Sequence, residues 1–212
     1  MSNTIRSAAS AEPRSSKVSV DAVTLRFNPQ KMGVEVAVTT RTQEPFTGQL
    51  ALPGVVLLEG ERLAHAAERA LRDKLGWGAP RALGQLIVFD EPARDPRGAT
   101  LSVAMWAVAD GPGGTWVSLD DVPPLAFDHN RIIEVCRPML AEMLWRNLDF
   151  TRALTGPTFP VSTAIALTES LTRTVPDRGN LNRRLATIPK LRVSGREVVR
   201  GRGRPGATWS WA

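Results

Sequence analysis

The sequence predicts a two-part α+β chain, a mixed sheet-and-helix body followed by a small unit of helices and a hairpin. Three observations predict it. In the body, short strand-like apolar runs flank one segment of helical periodicity, without regular alternation. A second helical run, from Ile132 to Leu144, closes that body. The third observation is charge: from Pro157 onward ten basic residues face three acidic ones. That segment is +7 in a chain of net charge +6, which leaves the body at −1. A neutral body with a strongly basic end points to an appendage for a polyanion.

With 212 residues, 42% hydrophobic and 23% charged, the chain is ordinary globular material. Collagen, coiled coil and wholesale disorder are excluded. No apolar run approaches the ~18 residues of a membrane span. Met1 to Ser16 is small and polar, a disordered tail without the apolar stretch of a secretory signal. The lone Cys136 offers neither an intrachain disulfide nor a zinc set. A cytoplasmic protein with no membrane partner is the expectation.

In chain order, Val18 to Phe27, Val34 to Thr40 and Gly48 to Leu52 read as strands, and Pro53-Gly54 as a break. Glu61 to Leu75 reads as a helix, with Leu63, Ala66, Ala67, Ala70 and Leu71 at three- and four-residue steps and Gly76 as its stop. Ala82 to Phe89 and Ala99 to Ala109 are strands around the turn-rich Asp90 to Gly98. Asp128 is the expected cap of the next helix, with Pro138 predicting a kink or break inside it. Residues 17–147 form the body, 148–156 the linker with one short helical piece, and 157–212 the second unit. There a helix through Val161, Ile165, Leu167 and Leu171 precedes a second one after Pro176-Asp177. Leu181, Leu185 and Ile188 form the buried stripe of that second helix. Asn180, Arg183 and Thr187 lie opposite, with Asn182 beside them and Arg184 on the flank. Two strands, Lys190 to Arg200 and Gly206 to Trp211, then enclose Gly201-Arg202-Gly203-Arg204-Pro205.

Helix, basic helix and basic-tipped hairpin is the order of a winged helix-turn-helix. Its second helix would read a DNA major groove through Asn180, Asn182, Arg183, Arg184 and Thr187. Arg200, Arg202 and Arg204 in the wing would hold phosphate or reach the minor groove. A helix and hairpin used only for dimerisation is the other reading.

Leu52-Pro53-Gly54-Val55, Glu61, Ala66-Ala67, Arg69 and Leu75-Gly76 resemble the Nudix box. In that box, carboxylates spaced three and four apart on a helix converge on divalent cations that grip a pyrophosphate and activate water. The match fails where the chemistry lies. Val55 stands at the first glycine, Ala70 and Lys74 replace metal-directed Glu residues, and Asp73 shortens another. A lysine at a metal position opposes cation binding by charge. Asp73, Glu61, Glu68 and Glu59 are the carboxylates that remain. The expectation is a Nudix-like fold without catalytic residues, metal or cofactor. The plainer reading of the same residues is an amphipathic helix after a Pro-Gly turn.

Phe89-Asp90-Glu91-Pro92, Arg94-Asp95-Pro96-Arg97-Gly98 and Leu125-Ala126-Phe127-Asp128-His129 extend the resemblance to the Nudix-related regulators of NAD metabolism. So does Asn180-Leu181-Asn182-Arg183-Arg184-Leu185. That family joins a degenerate Nudix domain, an α/β/α sandwich, to a C-terminal winged helix. The resemblance implies a homodimeric repressor of NAD biosynthesis or salvage genes on palindromic operator DNA. It also implies a nucleotide effector such as ADP-ribose, held at Glu61, Arg69, Lys74, Phe89, Arg94 and Arg97. The chain departs in having no tyrosine, with Trp106 and Trp209 at sites often held by Tyr. The rival readings are an active Nudix hydrolase of ADP-ribose or another nucleoside diphosphate derivative, and a nucleotide-binding protein without a DNA role. His129 is read as hydrogen-bonding at the helix start, His65 as surface, and Cys136 as core. Trp77, Trp106 and Trp116 are read as packing before any stacking on adenine.

Overall fold

The structure is a computed structural model that describes residues 15–196 and 206–212. Most of the expected tail lies outside the described residues, as do the wing residues Arg200, Arg202 and Arg204. Among the described residues no helix is long and apolar enough to cross a membrane.

Strand β1 (Lys17–Asn28) is the spine of the body. It pairs antiparallel with β2 (Gly33–Thr40) and parallel with β6 (Thr100–Val108), which pairs in turn with β5 (Ala82–Phe89). The two-residue β3 (Leu50–Ala51) borders β2. Two further strands are β4 (Gly54–Val56) on β1 and β7 (Thr115–Ser118) on β2. β4 begins at the Gly54 of the expected Pro53-Gly54 break, and both strands are too short to show a period of their own. The pleat sorts β1 onto two faces. Val20 and Ala22 meet helix α1 (Leu63–Leu75) through Ala66, Ala67, Leu71 and Leu75. Val23 and Leu25, with Ala104, Trp106 and Val108 of β6, meet helix α2 (His129–Met143) through Ile132, Ile133, Cys136 and Leu140. The result is the expected α/β/α sandwich, with Cys136 fully buried and its thiol pushed up to about 12 by burial.

Helix α1 begins at Leu63, later than its periodicity suggests, because Glu61 is tied into the preceding loop. It ends where Gly76 adopts φ 72°, the left-handed conformation a glycine cap takes without strain. Helix α2 runs through Pro138 as one helix. Both Pro138 and Glu134, whose carbonyl loses its partner, lie on the exposed side where water substitutes. The expected cap at Asp128 is not made: its side chain accepts no bond from the helix. That carboxylate is engaged by Arg94, and a bidentate charge-assisted pair outweighs a single capping bond.

The stretch expected as a linker is helix α3 (Leu148–Thr155), capped by Asn147 and carrying the fully buried Phe150 against Trp106. The strand β8 (Thr158–Pro160), the helices α4 (Val161–Thr172) and α5 (Arg178–Thr187), and the strands β9 (Leu191–Arg196) and β10 (Ala207–Trp211) complete the chain. The sheet order is β8-β10-β9. Two helices followed by this hairpin are the winged helix-turn-helix order. Leu181, Leu185, Ile188, Phe159 and Trp209 share one continuous core with the body.

Candidate functional site

The box helix α1 lays its alanine face on the sheet and leaves Arg69, Asp73 and Lys74 along a cleft of about 430 Å³. Arg69 pairs bidentately with Glu61, Nε to Oε1 and Nη2 to Oε2, both at 2.8 Å, and also donates to the Val56 carbonyl. The Leu58 amide donates to Glu61 as well. These bonds, Arg69 foremost, hold the Glu61 carboxyl down at about 2. A depressed carboxyl stabilises the fold fully above its ordinary value of 4.5, and that contribution disappears as pH falls toward about 2. Glu61→Gln is therefore expected to flatten the loss of stability across that acid window, read from melting curves along a pH series.

A divalent cation does not fit this box. Glu61 is consumed by Arg69, Ala70 is fully buried and has no donor, and Asp73 turns to Arg72 at 3.1 Å. Glu59, Glu61 and Glu68 are absent from the cleft lining, whereas the exposed Lys74 is part of it. Among the described residues no group of three or more His, Cys, Asp or Glu is placed to hold a metal ion.

The cleft wall is instead cationic. Lys17, Arg41, Arg69, Lys74, Arg94 and Arg97 line it, against Asp21, Asp73 and Asp95. Arg41 and Arg97 lie over the ring of Phe127, at 4.6 and 5.6 Å from its centroid. Arg97 is held by Asp95, with Nη2 to Oδ2 at 2.7 Å, and that pairing lowers the Asp95 carboxyl. The Arg41 guanidinium donates to the Pro45 and Gln43 carbonyls. Its pKa is lowered by burial and then by the neighbouring charge of Arg97, which the carboxylates of Asp95, Glu44 and Asp21 only partly offset.

Beneath them lies a buried ionic network. Arg94, its side chain 4% exposed, bonds Asp128 at 3.0 and 2.6 Å and reaches Asp21 at 3.4 Å. Ser102 donates to Asp21. His129 accepts from the Leu52 amide at Nδ1, 2.9 Å, so its proton is on Nε2, 3.7 Å from Asp21. Burial lowers its pKa and keeps the ring neutral. Gly54 is obligatory above Asp21, since a Cβ there would stand 2.1 Å from the Asp21 carboxylate.

Of the sequence-based effector candidates, Arg69, Lys74, Arg94 and Arg97 line the cleft; Glu61 backs Arg69, and Phe89 is buried in the core away from it. Sequence reasoning missed Arg41, Asp21 and Phe127 as cleft residues; His129 is the hydrogen-bonding first residue of α2 that it was read as, and it lines the cleft as well. The available signal for Asp21 was a single carboxylate inside an apolar strand.

On α5, Asp177 caps the helix at the Asn180 amide, 2.7 Å. Leu181, Leu185 and Ile188 are buried, and Asn180, Arg183, Arg184 and Thr187 are exposed. Arg183 donates to the Asn180 side chain, and Thr187 Oγ1 donates to the Arg184 carbonyl at 2.8 Å. Asn182 differs from its reading: it is half-buried, and its Oδ1 is covered and lacks a hydrogen-bond partner. Arg184 reaches back to the Leu144 carbonyl at 3.3 Å, and its pKa is lowered by burial and by the charge of the exposed Arg146.

No protein-family model matches the chain. An ADP-ribose pyrophosphatase of Methanocaldococcus jannaschii is 30% identical over 122 residues, 53% of this chain and 68% of that protein. Crystal structures of Shewanella oneidensis NrtR match nearly end to end. The free protein is 26% identical with a TM-score of 0.73, over 92% of this chain and 94% of that one. The same protein on a 27mer DNA gives a TM-score of 0.74 at 24% identity, over 92% and 93%. Its Nudix domain with ADP-ribose is 30% identical, TM-score 0.54, over 60% of this chain and 90% of that one. With a Nudix-type sandwich, a box helix and a winged helix in one chain, this protein belongs to the Nudix-related transcriptional regulators.

Proposed function

We propose that this chain is a cytoplasmic, homodimeric repressor of NAD biosynthesis or salvage genes. It binds palindromic operator DNA through α5 and the wing, and it senses ADP-ribose or a related NAD-derived nucleotide in the cleft. The observation that carries this reading is the exposed polar face of α5, with Asn180, Arg183 and Thr187 set opposite a fully packed apolar stripe. Arg183 is the first candidate for a base edge. Arg184 and the exposed Arg146 repel one another electrostatically, and a phosphate between them would relieve that repulsion. The NrtR structure on DNA supports the DNA role, and its ADP-ribose complex supports the choice of effector.

In the cleft, Arg41 and Arg97 are the diphosphate partners and Lys74 a further one. Phe127 offers a ring face already bracketed by guanidinium groups. Binding needs no water-activating step, so a cleft without metal carboxylates serves as a receptor. Effector and operator then favour different arrangements of the reading helices, and each weakens the other by the same factor.

The archaeal relative, named as a pyrophosphatase, favours the second reading, an active hydrolase. The two separate on one assay. With magnesium and ADP-ribose the chain is expected to release AMP far below the ~1 per second of ordinary enzymes, while calorimetry registers binding. Turnover at enzymatic rates establishes the hydrolase instead.

A further inference from the structure

Arg137, on the second turn pair of α2, is 2% exposed and buries its whole guanidinium between the two units of the chain. Its Nη1 donates to the Leu119 carbonyl at 3.0 Å, at the end of β7. Its Nη2 reaches the Asp120 carboxylate and the Ser170 carbonyl, and its Nε reaches the Leu171 carbonyl at 3.4 Å. Ser170 and Leu171 sit in the last turn of α4, where helix carbonyls lack partners and carry the negative end of the dipole. The Ser170 hydroxyl closes the joint by accepting the Val34 amide of β2 at 3.2 Å. Arg173, the residue that ends α4, adds an exposed pair with Glu134 of α2.

The N-terminal end of α2 stands in the cleft. Asp128 is clamped by Arg94, and His129 lines the wall while holding the Leu52 amide. From His129 to Arg137 is about 12 Å along an α-helix. One rigid rod therefore touches the cleft at its N-terminus and grips the end of α4 at its middle. The α4 terminus leads directly to Asp177, the cap of α5.

We infer that α2 is the rod that couples the nucleotide cleft to the DNA-reading helix, with Arg137 as the positioning residue that transmits its movement to α4. This rests on the reading of the cleft as an effector site and of α5 as a DNA reader. A ligand anion that draws Arg94 toward itself alters the hold on Asp128 and hence the seat of α2. Arg137 is multiply bonded to the end of α4 and carries that shift across a joint with no slack. A buried charge with four acceptors switches between discrete arrangements more readily than it deforms.

The test uses the full chain, a duplex obtained by selection on the wild-type protein, and ADP-ribose as probe. In the wild type, ADP-ribose is expected to change duplex affinity by at least ~5-fold. In Arg137→Lys, which keeps the charge but loses the planar fork, the change is expected to shrink to less than about 2-fold. Duplex affinity without ligand and ADP-ribose affinity without DNA stay near wild type. Asp120→Asn, at a half-exposed acceptor, gives an intermediate loss if Arg137→Lys does not fold. Hydrogen exchange on the wild type gives an independent readout: ADP-ribose should alter protection in the last turn of α4 and in α5. Full coupling in both variants, or exchange changes that stop short of α4, overturns the inference while leaving the sensor reading intact. A wild-type chain that ignores ADP-ribose overturns the sensor reading and the coupling together.

Discussion

Arg94→Met is expected to cost about 3–5 kcal/mol of stability, roughly a 10 °C fall in melting temperature for a chain of this size. The side chain is 4% exposed, and the carboxylates it serves, Asp21 and Asp128, are 8% and 16% exposed. Removing the guanidinium leaves two acids, one in the middle of β1, with little water and with Ser102, a neutral His129 and the charge of Arg41 as their remaining surroundings. That uncompensated burial produces the large value, since an intact buried pair contributes little net stability of its own. Arg94→Lys should lie between, keeping the charge while losing the fork that bonds both Asp128 oxygens. A loss under about 1 kcal/mol for Arg94→Met, ordinary for a surface residue, would mean that this network does not hold the cleft together.

Arg183→Ala is expected to weaken binding to a selected duplex by about 1–3 kcal/mol, or ~5- to 150-fold, and to relax the preference at one base position. Arg146→Ala should instead weaken all duplexes alike and reduce the slope of log affinity against log salt by ~0.9. The contrast follows from placement. Arg183 is on the exposed face of α5 beside Asn180, whereas Arg146 precedes α3, outside the winged helix. Anisotropy titrations over a salt series separate the two effects. Unchanged affinity and specificity in Arg183→Ala would remove α5 from the role of reader.

The fold was legible wherever burial imposes a period. The helical steps of α1, α2, α4 and α5 follow from one apolar face each, and β1, β2 and β6, covered on both faces, read as nearly continuous apolar runs. Short strands such as β4, β7 and β8 carry too few residues for a period and are fixed by their neighbours in the sheet. The box helix was legible because its failures were as specific as its matches: Ala70 packs on the sheet and Lys74 lines the cleft. The remainder of the cleft was not legible, for a physical reason. Asp21, Arg41 and Phe127 come from three separate segments, and only the tertiary fold makes them neighbours of Arg94 and Arg97. Asp128 shows the same limit, a residue with the chemistry of a cap that a buried arginine claims first. Asn182, read with the DNA-contacting residues, is half-buried with its Oδ1 covered, a detail its neighbours in sequence do not reveal.

The most direct measurement is the affinity of the full-length wild-type chain for its selected duplex, titrated with and without ADP-ribose in the presence of magnesium. AMP release is followed in the same samples. The regulator reading predicts tight, salt-dependent binding to a two-fold symmetric duplex and an affinity changed ~5- to 150-fold by ADP-ribose, with the nucleotide recovered intact. Failure to select any duplex, or an ADP-ribose pool converted to AMP with DNA affinity unmoved, would contradict it.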